Sequence, residues 1–132
     1  MAEIQKKPDE WRKDLEPEQY RVLREHGTER PGTSPLLAEK RLGLFHCAGC
    51  GQPLYRSETK FESGSGWPSF WAPLPGAVET STDQSHGMTR VEVHCAKCGG
   101  HLGHVFEDGP KPTGLRHCIN GAALSFEPEE KK

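Results

Sequence analysis

A chain of 132 residues with only 33% of its residues apolar and a mean hydropathy of −0.77 is the length of one domain with a lean core, which a metal staple would help to hold. Seventeen Lys and Arg against nineteen Asp and Glu leave a net charge of −2, which argues against a nucleic-acid binder. No apolar run approaches the roughly 20 residues of a membrane helix, and no apolar stretch follows the charges of residues 1–7, so no secretory signal is read. The expected home is cytoplasmic. Thiols stay reduced there, so the five cysteines favour metal or redox chemistry over structural disulfides.

Residues 1–10 are polar and expected to be loose, with 1–7 a flexible N-terminus, 8–129 a single domain and 130–132 a charged tail. The run Pro17 to His26 reads as a short helix. Pro17 suits its first turn, Glu18 its positive end and Gly27 its stop, with Tyr20 and Leu23 facing the body. Arg30 to Pro35 is an irregular connector. An internal near-repeat follows: His46-Cys47-Ala48-Gly49-Cys50-Gly51 matches His94-Cys95-Ala96-Lys97-Cys98-Gly99, on the scheme H-C-A-x-C-G-x-x-L. Between the copies, Lys60 to Trp71 mixes glycines and aromatics in a pattern of neither helix nor long strand, which suggests a shaped loop with Trp67 as a wall. Asp83 to Gly87 reads as a turn, Met88 to Val93 as a strand and Val105-Phe106 as a short strand. Asp108 to Gly114 is a Pro- and Gly-rich loop leading into Arg116-His117-Cys118-Ile119-Asn120, and Ala123 to Phe126 is a last strand. Fifteen glycines and eleven prolines fit many turns and short elements, so the class is mainly β with a helical N-terminus.

Cys47, Cys50, Cys95 and Cys98 form two CxxC knuckles that can supply four thiolates to one tetrahedral zinc, with no position left open for water. The gap of about 44 residues exceeds that of a zinc ribbon, so the metal would tie distant parts of a sheet. Two disulfides, iron, or a redox CxxC pair are the alternatives. The compartment speaks against disulfides, and the matched knuckles against a redox motif.

Cys118 is left without a partner. It is either a small buried hydrophobe or an activated thiol. In an extended segment Arg116, Cys118 and Asn120 share one face, and a cation there favours the thiolate and lowers the thiol pKa. His117 and Asn120 fit an apolar interior poorly, and the Pro- and Gly-rich loop fits a pocket rim. His101 and His104, just after the second knuckle, are candidate acids or bases held in place by the metal-pinned backbone, with Gly103 as a bend that turns both to one cavity. His46 and His94 belong to the repeat and read as structural.

The two knuckles, Gly64-Ser65-Gly66-Trp67-Pro68-Ser69-Phe70, Gly99 to Phe106 and Arg116 to Asn120 together resemble the methionine-R-sulfoxide reductases (MsrB) over residues 8–129. The resemblance implies two antiparallel β-sheets in a roll or sandwich, short N-terminal helices and a structural zinc site of four cysteines. It implies Cys118 as nucleophile, His101 and His104 in the site, Arg116 and Asn120 in support, and Trp67 receiving the substrate S-methyl group. The implied activity is reduction of methionine-R-sulfoxide in oxidised proteins, with thioredoxin or another thiol as reductant and the chain acting as a monomer. Where many members carry a resolving cysteine this chain has Ser65, which predicts a one-cysteine cycle reduced by an external thiol or thioredoxin, the alternative being that a zinc cysteine is sacrificed and the metal ejected. Gly121 stands where many have Ser. The alternative reading is a non-catalytic zinc-stabilised β domain that binds a protein or peptide.

Overall fold

The computed structural model describes residues 8–128 apart from 26, 31, 85, 86 and 88. The expected flexible N-terminus at 1–7 and the tail at 130–132 lie outside those residues, as do His26, Pro31, Ser85, His86 and Met88. Two helices, α1 (Pro8–Asp14) and α2 (Pro17–Glu25), precede the strands β1 (Gly43–Cys47), β2 (Pro53–Arg56), β3 (Lys60–Phe61), β4 (Ser69–Phe70), β5 (Val78–Asp83), β6 (Arg90–Cys95), β7 (His101–Phe106), β8 (Arg116–Ile119) and β9 (Leu124–Pro128). One antiparallel sheet has the order β2-β1-β9, the other β3-β4-β8-β7-β6-β5. The expected mainly β fold of two antiparallel sheets with short N-terminal helices is the one observed.

Several local expectations need correction. Residues 8–10 are not loose: they open α1, whose first turn carries Asp9 and Glu10 at the positive end of the dipole. Two apolar residues, Trp11 and Leu15, are too few for a visible period, yet both are buried. The 60–71 segment is not all loop, because β3 and β4 flank a turn in which Gly64 (φ 76) and Gly66 (φ 91) take left-handed backbone conformations. Asp83 belongs to β5 rather than a turn, and β7 begins at His101, so both candidate histidines lie in a strand. Ala123 sits in a 3-10 turn, and the last strand begins at Leu124.

The two sheets meet through aromatic side chains. Phe70 of β4 stacks on Tyr55 of β2, with ring centroids 4.3 Å apart, and meets Phe45 of β1 edge-on at 5.0 Å. Phe45 in turn packs on Phe126 of β9 at 4.8 Å. All of Phe45, Tyr55 and Phe70 are fully buried, each contributing on the order of 2–3 kcal/mol through the apolar area it removes from water. The helices cover the knuckles. A Cβ on Gly49 would lie 3.2 Å from Trp11, one on Gly100 would lie 2.8 Å from Leu23, and Arg24 Nη1 donates to the Cys98 carbonyl at 3.0 Å.

β4 pairs with β8 so that Phe70 faces His117 and Ser69 faces Cys118. Alternation then sends Phe70 and His117 to the inner face and Ser69 and Cys118 to the outer one. His117 is therefore buried, against the expectation that its polarity fits an interior poorly. Tyr55 Oη lies 2.9 Å from His117 Nδ1 and satisfies it. Burial pushes the His117 pKa down to about 4. The folded value lies below the ordinary 6.5, so the unfolded chain binds the proton first, and stability is lost as pH falls from about 6.5 towards 4. Between pH 7 and pH 5 this one group is expected to remove about 2 kcal/mol of unfolding free energy. Urea titrations at the two pH values check this, and His117→Phe is expected to lessen the dependence.

Candidate active site and metal centre

Cys118 sits mid-strand in β8, between β4 and β7. The register places His104 of β7 directly opposite it, and Phe106 opposite Arg116. Directly opposed side chains share a face with Cβ atoms about 5 Å apart, so a thiol and an imidazole stand on one face. The approach of these strands depends on Gly103, where a Cβ would collide with the Cys118 carbonyl oxygen. That close approach, not a bend, is why glycine stands between the histidines.

A cavity of about 310 Å³ opens over this face, lined by Cys118, His104, Arg116, Asn120, Trp67 and Ser65, together with Thr28, Arg90, Gly103 and Phe106. Arg116, Cys118 and Asn120 thus face one cavity, as the strand alternation predicts. His101 is placed differently. It is 3% exposed behind His104, its Nδ1 is 2.8 Å from Glu92 Oε2, and its ring meets that of His104 edge-on with centroids 5.5 Å apart. Three residues apart, the two rings would take opposite faces of a regular strand. A register shift on the neighbouring β6, between Val93 and His94, accompanies their meeting.

His104 Nε2 lies 2.7 Å from Asp83 Oδ2, and the Arg90 guanidinium holds the same oxygen at 3.3 Å. A carboxylate accepts only, so Nε2 carries the proton and Nδ1 is the acceptor of the neutral ring. Asp83 and Arg90 are residues that sequence reasoning missed. Their signal was the β5–β6 hairpin, in which they are direct partners.

Arg116 is anchored by Asp108, its Nε at 2.9 Å and its Nη2 at 3.2 Å from the two carboxylate oxygens, and its guanidinium lies over the Phe106 ring at 4.5 Å. Its charge favours the Cys118 thiolate as expected, and so does the Ser65 hydroxyl. Burial outweighs both and pushes the Cys118 pKa up rather than down. Burial thus favours the thiol over the thiolate.

Glu29 is a third residue that sequence reasoning missed, hidden beside an irregular connector. Its backbone N–H donates to Asn120 Oδ1 at 2.8 Å, and its carbonyl accepts from Trp67 Nε1 at 2.9 Å. Its buried carboxylate accepts from the Gly121 and Ala122 N–H groups at 2.7 and 2.9 Å, while burial raises its pKa. One residue therefore fixes both the indole wall and the end of β8. Asn120 completes the clamp by donating from Nδ2 to the Leu102 carbonyl at 2.9 Å. Its polarity is thus satisfied in the interior, again against expectation.

The four remaining cysteines converge. Their sulfurs all lie within 4.8 Å of one another, with Cys47 to Cys98 at 3.7 Å and Cys50 to Cys95 at 3.6 Å. Tetrahedral zinc with Zn–S bonds of ~2.3 Å separates its sulfurs by about 3.8 Å, whereas a disulfide needs about 2.05 Å, so these residues fit a metal. The knuckles are alike in detail. Gly51 N–H bonds the Cys47 carbonyl and Gly99 N–H the Cys95 carbonyl, both at 2.8 Å, and both glycines have positive φ. Hydrogen bonding with Cys47, whose own pKa is driven up, lowers the pKa of Cys50, Cys95 and Cys98, a donor set that suits a cation.

A family model described as the SelR domain matches residues 15–128. The chain is 57% identical to a peptide methionine sulfoxide reductase MsrB of Agrobacterium fabrum, over 95% of this chain and 93% of that one. It is 56% identical to the protein of the same name from Leptospira interrogans, over 96% and 98%. A Methanosarcina barkeri protein of that name is 54% identical, over 97% and 91%.

The chain belongs to the MsrB family. Two ways in which it departs from many MsrB members acquire a setting. Ser65 lies against the nucleophile candidate, its Oγ 3.8 Å from Cys118 Sγ. Gly121 leaves room that Ser34 occupies, since a Cβ there would collide with Ser34 Oγ. Among the described residues no helix is long and apolar enough to cross a membrane.

Proposed function

We propose that this MsrB-family enzyme reduces the R epimer of methionine sulfoxide in oxidised proteins, with Cys118 as the nucleophile. The observation that carries this reading is the opposition of Cys118 and His104 across one strand pair, inside a cavity walled by Trp67. Relatives alike over nearly the whole chain are named peptide methionine sulfoxide reductases, which fixes the substrate class.

The chemistry follows from the resting thiol. As substrate seats, His104 Nδ1 takes the Cys118 proton, and the thiolate attacks the sulfoxide sulfur. The same imidazole returns that proton to the sulfoxide oxygen, which is the better leaving group once protonated. The oxygen then passes to the cysteine sulfur and methionine departs. Cys118 is left as a sulfenic acid, oxidised by two electrons while the substrate sulfur is reduced by two. An external thiol condenses with the sulfenic acid, releasing water and forming a mixed disulfide. A second thiol frees Cys118. Ser65 cannot form a disulfide, so resolution comes from outside, from thioredoxin or another thiol.

The remaining residues have supporting roles. Asp83 and Arg90 set the His104 tautomer. Arg116 stabilises the thiolate when it forms and the developing negative oxygen. His101 buttresses His104 from behind rather than meeting substrate, and Asn120, held by Glu29, fixes the β8 end of the cavity. Trp67 offers an apolar face to the S-methyl group, which with polar groups on the opposite side separates the substituents of sulfur. Cys47, Cys50, Cys95 and Cys98 would hold one structural zinc that supplies no chemistry to the reaction. A monomer in the cytoplasm, with the oxidised methionines of proteins as substrate, is the setting that fits. A purely binding β domain has no use for an imidazole held by a carboxylate opposite a lone thiol.

Reduction of a dabsyl-methionine sulfoxide mixture with dithiothreitol, resolved by epimer, tests the assignment. The R epimer is expected to be consumed and the S epimer to persist. Consumption of the S epimer at an equal rate, or of neither, would sink it.

A further inference from the structure

Cys118 stands at the end of a row of three hydroxyls. Ser65 Oγ is 3.8 Å from its sulfur, Ser63 Oγ is 2.8 Å from Ser65 Oγ, and Ser69 Oγ is 2.7 Å from Ser63 Oγ. The Trp67 carbonyl is within reach of both ends of the row, 3.2 Å from Ser69 Oγ and 3.4 Å from Ser65 Oγ, and for Ser65 the 2.8 Å contact with Ser63 is the shorter of the two. Each hydroxyl is held by its setting. Ser69 is buried and is the β4 partner of Cys118. The Ser65 N–H donates to Ser63 Oγ at 3.3 Å, and the Trp67 N–H to Ser65 Oγ at 3.4 Å.

A hydroxyl has one proton to donate, so a row of three is polarised in one direction at a time. With Cys118 as a thiol, the S–H donates to Ser65, and the row runs through Ser63 and Ser69 to the Trp67 carbonyl. A thiolate can only accept. The row then reverses, Ser69 donating to Ser63, Ser63 to Ser65, and Ser65 to the sulfur. The reversal needs only rotation of three O–H bonds, and no proton leaves the row.

We propose that Ser65 is a catalytic residue that donates a hydrogen bond to the Cys118 thiolate, with Ser63 and Ser69 as positioning residues that polarise it. The proposal rests on the reading of Cys118 as the nucleophile. It gives the residue at the resolving-cysteine position a different task, because Ser65 cannot resolve the sulfenic acid. The charged and titratable groups lining the cavity with Cys118 are Arg116 on β8, His104 on β7 and Arg90 on β6, while β4 offers only Ser69 and the buried Glu29 carboxylate lies behind, on the Gly121 and Ala122 N–H groups. Burial and the Glu29 charge oppose the thiolate, and the Ser65 hydroxyl and Arg116 favour it.

The test is the rate of Cys118 alkylation by iodoacetamide as a function of pH in the zinc-loaded full chain, with the modified peptide identified by mass. Ser65→Ala is expected to raise the midpoint by about one pH unit, Ser63→Ala by less in the same direction, and Ser65→Thr to leave it near wild type. A mere packing role for Ser65 would alter KM and thermal stability without moving this midpoint. A Ser65→Ala profile coincident with wild type would overturn the proposal, and a shift in Ser65→Ala with none in Ser63→Ala would overturn the relay. Because the readout needs no substrate, an unmoved midpoint alongside Cys118-dependent turnover refutes Ser65 alone and leaves the reductase reading standing.

Discussion

Cys118→Ser is expected to lower turnover of methionine-R-sulfoxide by about 10⁴-fold or more, at an unchanged melting temperature. A serine hydroxyl has no accessible anion near neutral pH and cannot take up the sulfoxide oxygen, so the step is lost rather than slowed. The side chain is half-buried on the outer face, away from the Phe45–Tyr55–Phe70 cluster, and its replacement opens no core cavity. Substrate binding should survive, because the Trp67 wall is hung from Glu29 and not from the sulfur. Single-turnover kinetics beside calorimetry check both halves of the expectation. Turnover within tenfold of wild type would mean that another group attacks.

Removal of the metal is expected to act in the opposite way, on the fold first and on activity only as a consequence. Cys47 ends β1 of the small sheet, and Cys95 ends β6 of the large one. An ion held by the four sulfurs would therefore tie the two sheets beneath the helices that cover both knuckles. Loss of such a tie, with thiols left buried in its place, is expected to cost on the order of 5 kcal/mol and to lower the melting temperature by about 15 °C or more. Cys95→Ser is the direct test, since Cys95 is fully buried against Val78 on β5. Zinc content measured beside the melting curve should fall with it. A variant that loses zinc but melts with wild type would remove the metal from the account of stability.

The two knuckles were legible because the chain writes them twice in the same letters, and the structure repeats them down to the same hydrogen bonds. The segment 116–120 was legible because strand alternation needs only three residues to be seen. Other elements left no such trace. β5 reads Val-Glu-Thr-Ser-Thr-Asp, an edge strand with little apolar alternation, and its pairing is set by tertiary contact with β6. Helix α1 owes its place to Trp11 lying against Gly49 and Arg24. Glu29 was invisible because its work is done largely by backbone atoms, which no side-chain pattern reports. The net shift of the Cys118 pKa is illegible in the sequence for a related reason. Arg116 could be seen beside it in the sequence, but burial by neighbouring strands could not.

The central claim is that Cys118 carries the chemistry alone, and intact-protein mass after one equivalent of methionine-R-sulfoxide, without reductant, tests it most directly. The expected product gains one oxygen atom, located on Cys118 as a sulfenic acid trapped by dimedone, with zinc retained. A product lighter by two hydrogen atoms, with an internal disulfide and released zinc, would contradict the account.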